Sequence, residues 1–374
     1  MKTVIAMPTP PVMVRVRRAR VSAIIAVVGL AASLASAATP PRTARCGAVD
    51  TRYVPSCGAW FGTTGAPDLV TAERLAGRRA DIFHEYKRFS GYSGAKAFPG
   101  AAAEAAIETH HMFFFSWKPV LADGTMVSWA RVADGQMDAA YVDVLARKIR
   151  AWSARHHGRK VFMAFHHEPE NDVGTFGAPS DYVRAWRHIY ARFAALHARR
   201  AVIFVWDMAG YKTRVGQWNA LYPGDRVVDW LAWDPYGKTQ YSPRSAPIVP
   251  FATAVGQYRG DDVDGTGAYR FYKWATGTGA EDLRSGRVFA KVGSHTKPLM
   301  IAEFGVCWDA ATLASAERWY ADAAAVIRHG AYARVKAFVS FDAFNCFRPT
   351  ASRQMRGSFR TAVTAPRLRQ RTPY

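Results

Sequence analysis

The sequence predicts an α/β chain folded as a single (β/α)8 TIM barrel. Three observations carry that expectation. Eight short runs are rich in apolar, β-branched and aromatic residues, and helical periodicity lies between most of them. No GxGxxG or GxxxxGK loop follows any run, so the doubly wound open sheet loses its usual signature. The 374 residues are 49% apolar and 21% charged, which is enough to bury a large core and excludes a disordered chain.

The runs are Gly58–Gly62, Ile82–Phe89, Met112–Trp117, Val161–His166, Ala201–Trp206, Val227–Trp233, Leu299–Phe304 and Val335–Phe341. Parallel barrel strands are covered on both faces, so they read as nearly continuous apolar stretches. Apolar residues recur at three- and four-residue spacing over Asp138–Trp152, Tyr182–Leu196 and Ala314–Ile327, predicting helices there, and Pro179-Ser180-Asp181 offers an N-terminal cap to the second. One connection is long. Gly237–Lys297, between the sixth and seventh runs, reads as an insertion in the barrel and not as a second domain.

The net charge is +21, and five of the bases (Lys2, Arg15, Arg17, Arg18, Arg20) precede an apolar run, Val21–Leu34, that ends in Ala35-Ser36-Ala37. Basic segment, short apolar stretch and small-x-small site are the parts of a signal peptide over residues 1–37; the alternative is an uncleaved anchor. Cleavage would leave a secreted, extracellular chain of charge +16 from Ala38, with a catalytic domain over 38–352. Such a charge suits anionic surfaces, but no nucleic-acid-binding motif accompanies it. Arg353–Tyr374 holds six arginines and no acid, and reads as a flexible basic tail that could associate with an anionic cell surface. The four cysteines, Cys46, Cys57, Cys307 and Cys346, suggest disulfides in an exported chain. Of the three connectivities, Cys46–Cys57 with Cys307–Cys346 is favoured. No CxxC or HxxxH spacing points to zinc.

In a TIM barrel the site gathers at the C-terminal ends of the strands. That rule selects Glu85, Glu168, Glu170, Asp207, Asp234, Glu303 and Asp342. Two glutamates facing each other from the fourth and seventh runs are what glycoside hydrolysis needs, one as acid and one as nucleophile or base. Trp117, Trp206, Trp233 and Trp308 fall near strand ends, where rings could stack on sugars, although core packing is an equal reading for them; Trp230 reads as core. His84, His167, Asp234 and Asp342 could read hydroxyls. Glu170 reads as a solvated loop acid.

Phe165-His166-His167-Glu168-Pro169-Glu170-Asn171, followed far downstream by Met300-Ile301-Ala302-Glu303-Phe304-Gly305, resembles glycoside hydrolase family 26. The resemblance implies a retaining barrel glycosidase; most known members are β-mannanases, and others cleave mixed-linkage β-glucan or β-1,3-xylan. It implies Glu168 as acid/base, His167 as the histidine before it, Glu303 as nucleophile, and Tyr236 in Trp233-Asp234-Pro235-Tyr236-Gly237 as its hydrogen-bond donor. It implies no cofactor or metal, a β-linked polysaccharide as substrate with β-1,4-mannan first, and a monomer. The sequence departs from the pattern at Ala164-Phe165, where the family commonly has Arg-Pro; at Glu170, in place of Asn; and at Phe341, in place of Trp. Two rivals stand beside the enzyme: a non-catalytic polysaccharide-binding barrel, and a basic protein that merely adheres to a wall or exopolysaccharide.

Overall fold

The computed structural model describes residues 47–374, apart from 65–67, 109, 211–214, 240, 243–244, 256–270, 277–279, 283–286, 290–295, 331, 343–345, 350–351 and 371. The expected signal peptide and Cys46 therefore lie outside the described residues.

Eight parallel strands close into a barrel in the order β1 (Trp60–Thr63), β10 (Val335–Ser340), β9 (Leu299–Phe304), β6 (Trp230–Trp233), β5 (Val202–Met208), β4 (Val161–Phe165), β3 (Met112–Lys118) and β2 (Ile82–Arg88). Every predicted run contributes one strand. The largest boundary change is at β6, which begins at Trp230 because Asp225–Val227 forms a short 3-10 turn. Helices α1 (Leu69–Ala76), α2 (Ala101–Glu108), α3 (Trp129–Ala133), α4 (Asp143–Arg155), α5 (Pro179–Ala195), α6 (Val215–Leu221) and α9 (Leu313–His329) follow the strands. The predicted insertion holds α7 (Phe251–Val255), α8 (Phe271–Thr276) and the antiparallel hairpin β7 (Ala280–Asp282)–β8 (Arg287–Phe289). The cap of α5 differs by a step: Pro179 is its first helical residue, and Asp181 Oδ2 accepts from the Ala178 N–H at 3.3 Å.

Side-chain alternation along each strand splits the core in two. Trp60, Ile82, Met112, Phe114, Phe162, Ala164, Ile203, Val205, Trp230, Ala232, Met300 and Ala302 fill the barrel interior. The residues between them, such as Phe113, Phe115, Trp117, Met163, Phe204, Trp206, Leu231 and Trp233, pack outward under the helices.

The C-terminal stretch is not the flexible tail that its charge suggested. Arg353–Val363 is a helix, α10, capped by Ser352 Oγ at 2.9 Å from the Met355 N–H, with Met355, Phe359, Ala362 and Val363 buried. Those four recur at helical spacing, so the arginines occupy the other face. The last residue, Tyr374, lies edge-on to Tyr53 at 5.9 Å and packs against the barrel interior from below, with the Arg159 guanidinium 4.0 Å over its ring. Among the described residues, no helix is long and apolar enough to cross a membrane.

Candidate active site

The polypeptide leaves β4 through two non-glycine residues in the left-handed region, His166 (φ 52°) and Glu168 (φ 52°). Strain of this kind is held only where the surroundings impose it. Here the His166 N–H donates to the Trp117 carbonyl and the Glu168 N–H to the Asp207 carbonyl, each at 3.0 Å, so the ladder to β3 and β5 continues past the strand. The two kinks turn successive side chains apart. His166 goes outward, accepting from Trp129 Nε1 at Nδ1 (2.9 Å) and bonding Asp172 Oδ2 through Nε2 (2.6 Å). A tryptophan N–H at Nδ1 requires the proton on Nε2, so this imidazole is neutral and donates to Asp172. Burial holds His166 near 4 and His167 near 3. His167 and Glu168 instead face a cavity of about 690 Å³ at the C-terminal mouth of the barrel.

Glu303 reaches the same cavity through a bulge. Phe338 pairs with Ile301, but two residues later Ser340 pairs with Phe304, so β9 carries an extra residue there. Ala302 points into the barrel, and without the bulge Glu303 would point out; the extra residue re-aims it into the mouth. Its two carboxylate oxygens accept from two phenols, Oε1 from Tyr86 and Oε2 from Tyr236. Tyr236 is held by its bridge to Gly305 just after β9. Tyr86 is the third inward residue of β2, after Ile82 and His84, and nothing in the sequence analysis selected it.

Electrostatics set the proton count. Burial pushes Glu168 up to about 6, against the Asn171 side-chain donor at 3.2 Å and the nearby Lys118. Burial pushes Glu303 up to about 8, the Glu168 charge adds to it, and the Tyr236 and Tyr86 donors oppose it. The two carboxyls titrate as a pair, so between about 6 and 8 they hold one proton. Although Glu303 keeps the higher value of the two, its two phenol donors stabilise the charged form there. Asp207 and Asp234, 1% and 0% exposed, are raised well above the carboxylate range by burial and by like charge. Among the described residues, no group of three or more acids, histidines or cysteines could hold a metal ion.

The structure relocates several expected contacts. Trp117, Trp206 and Trp233 are fully buried in the outer layer, against Phe89, Tyr222 and Phe271 respectively, and do not reach the cavity. The reason is strand parity: Asp207 and Asp234 point inward, so the residue before each must point outward. Trp308 is half-buried against the outer core, with its Nε1 on the Arg348 carbonyl at 3.0 Å. His84 lies below the floor, bonded to Ser116 Oγ at 3.0 Å and stacked on Phe114, where it supports Tyr86. Glu170 is no solvated loop acid: it is fully buried, Oε1 accepts from the Gly210 N–H at 3.0 Å, and burial raises it to about 8. The aromatic wall of the cavity is instead Phe341, Phe347 and the exposed Tyr241. Cys307 and Cys346 are joined, which ties the loop after β9 to the one after β10 beside Phe347, and Cys57 is also disulfide-bonded.

Residues 132–254 match the model of glycosyl hydrolase family 26. Endoglucanase H of Acetivibrio thermocellus is 24% identical over 299 residues, covering 76% of this chain and 27% of that protein. Beta-1,3-xylanase TXYA of a Vibrio species is 33% identical over 104 residues, 27% of this chain and 20% of that one. The chain thus spans about a quarter of the length of the curated relatives it matches. In fold it is similar to an endo-beta-1,4-mannanase double mutant of Cellulomonas fimi, with a TM-score of 0.54 at 15% identity over 83% of this chain and 71% of that chain. With the closed parallel barrel and the motif around Glu168 inside the matched segment, the chain resembles glycosyl hydrolase family 26 over residues 132–254.

Proposed function

We propose that the protein is a secreted, monomeric retaining endo-β-glycanase, acting first of all on β-1,4-mannan. The single observation that carries the reading is the facing pair, Glu168 from β4 and Glu303 from β9, in one open cavity with two phenols on Glu303 alone. A carboxylate held by two neutral donors keeps its charge for attack, while its buried neighbour keeps a proton to give.

In the first step a Glu303 oxygen bonds to the anomeric carbon, the glycosidic C–O bond breaks, and the Glu168 O–H passes its proton to the leaving oxygen. In the second, the Glu168 carboxylate takes a proton from water as the water oxygen attacks the anomeric carbon and Glu303 departs. Tyr86 and Tyr236 orient the nucleophile, and Phe341 offers a face to the sugar ring. Export directed by residues 1–37 would place the enzyme with its polymer. The similar proteins are named for mannan, glucan and β-1,3-xylan, so the linkage and sugar are read by experiment.

The test is reducing-sugar release from galactomannan, glucomannan, barley β-glucan, β-1,3-xylan and a bacterial exopolysaccharide by the wild type, Glu168→Ala and Glu303→Ala. One polymer should be cut, mannan foremost, and each substitution should lower the rate by roughly 100-fold or more. A folded wild type that cuts none of them would favour the non-catalytic binding barrel. Activity surviving in both variants would refute the assignment of the pair.

A further inference from the structure

A second cavity, of about 410 Å³, lies at the opposite end of the barrel from the catalytic mouth. Its lining comes from the starts of strands: Lys160 precedes β4, Arg199 and Arg200 precede β5, and Asp229 precedes β6. Arg52 and Thr51 close it from the N-terminal segment, and Tyr190, Val202 and Ile203 supply its apolar wall. Four cations thus face one acid.

These cations do not have equal tasks. Arg199 is structural: it grips Asp229 through both carboxylate oxygens at 2.9 Å, donates to the Val202 carbonyl at 2.7 Å, and lies 4.8 Å over the Tyr190 ring. Even so, its Nε is buried with no partner. Arg52 forms an exposed pair with Asp50 at 3.2 Å. Lys160 Nζ donates to the Thr51 carbonyl; burial lowers its pKa, with Asp229 and Asp50 favouring its charge and Arg199 opposing it. Arg200 is exposed and has no ion-pair partner among the described residues. Arg200 is therefore a charge without an ion-pair partner, beside Lys160, at a concave, partly apolar surface of a chain whose net charge is +21.

We propose that this cavity binds the carboxylate or sulfate group of an acidic glycan, with Lys160 and Arg200 holding the oxyanion. Its volume lies within the range of small-ligand sites, and cations beside an aromatic face match a charged sugar better than a bare ion. Because the site is on the N-terminal face, an acidic polymer could be held there while a neutral one is cut at the mouth. The two events share no residue, and local tethering would raise the effective concentration of the enzyme at its matrix. The inference does not depend on which polymer is cleaved.

The test is calorimetric titration of the full chain at about 150 mM salt with a glucuronate-bearing oligosaccharide, a sulfated oligosaccharide, inorganic phosphate and a neutral manno-oligosaccharide. Wild type should bind one of the acidic oligosaccharides. The Lys160→Gln/Arg200→Glu double variant should bind it at least tenfold more weakly while its hydrolytic rate is unchanged. Arg200→Glu alone, at an exposed position, should show most of that loss even if the double variant folds poorly. Equal affinity in wild type and variants would overturn the proposal, as would binding of phosphate without either acidic oligosaccharide, or no binding at all.

Discussion

Glu168 and Glu303 share a buried mouth in which full ionisation of both is unfavourable, and that constraint fixes a pH dependence. Below about 6 the pair takes up a second proton and the nucleophile is lost; above about 8 it loses its last proton and the acid is lost. A plot of kcat/KM against pH should therefore be bell-shaped, with its maximum between those values. Tyr86→Phe removes one donor that holds Glu303 low, so its acid limb should move to higher pH, with kcat reduced while the fold persists. An unmoved limb would show that Tyr86 only fills space. At this scale the proposed pair was legible because both glutamates fall at strand ends, where a barrel gathers its site. Tyr86 was legible in principle, since it shares the inward parity of His84, but a tyrosine in an apolar run carries no mark of its own. The aim of Glu303 was not legible: it depends on a bulge in the β9–β10 pairing that only the register reveals.

At the scale of elements, the strands explain both a success and an error. Each barrel strand is covered on both faces, so its position stood out as an apolar run while its inner and outer residues looked alike. Trp206 and Trp233 were for that reason open to a stacking role that parity denies them. Trp206→Ala should cost about 3–5 kcal/mol of stability by leaving a large void. Phe341→Ala should instead raise KM with little loss of stability. Thermal denaturation beside steady-state kinetics separates the two, and a raised KM in Trp206→Ala with unchanged stability would restore the stacking role. The departure at Phe341 also gains meaning here. It packs edge-on to Tyr236 at 5.7 Å and to Phe347 at 5.2 Å, so the smaller ring is built into the cavity wall.

For the whole molecule, the barrel and its late insertion followed from run spacing alone, whereas the C-terminus was misread from its charge. Six arginines drew attention away from the helical spacing of Met355, Phe359, Ala362 and Val363. The segment stitches both ends of the barrel wall: the Ala59 N–H donates to the Arg367 carbonyl at 3.0 Å, Arg78 donates to the Leu368 carbonyl at 2.6 Å, and Tyr374 covers the base. Truncation after Ser352 would expose several apolar residues worth about 1.5–3 kcal/mol each, a large share of the roughly 5–15 kcal/mol that stabilises a typical domain. The truncated chain should be largely insoluble or unfolded by circular dichroism. A soluble, fully folded product would mean that α10 contributes little and the tail reading was sound.

The stereochemistry of the first product formed from the cleaved polymer tests double displacement most directly. Proton NMR recorded within the first turnovers, before mutarotation, should show the newly released reducing end as the β-anomer, with the configuration of the linkage retained. Initial appearance of the α-anomer would mean a single displacement by water, and Glu303 could then not be the nucleophile.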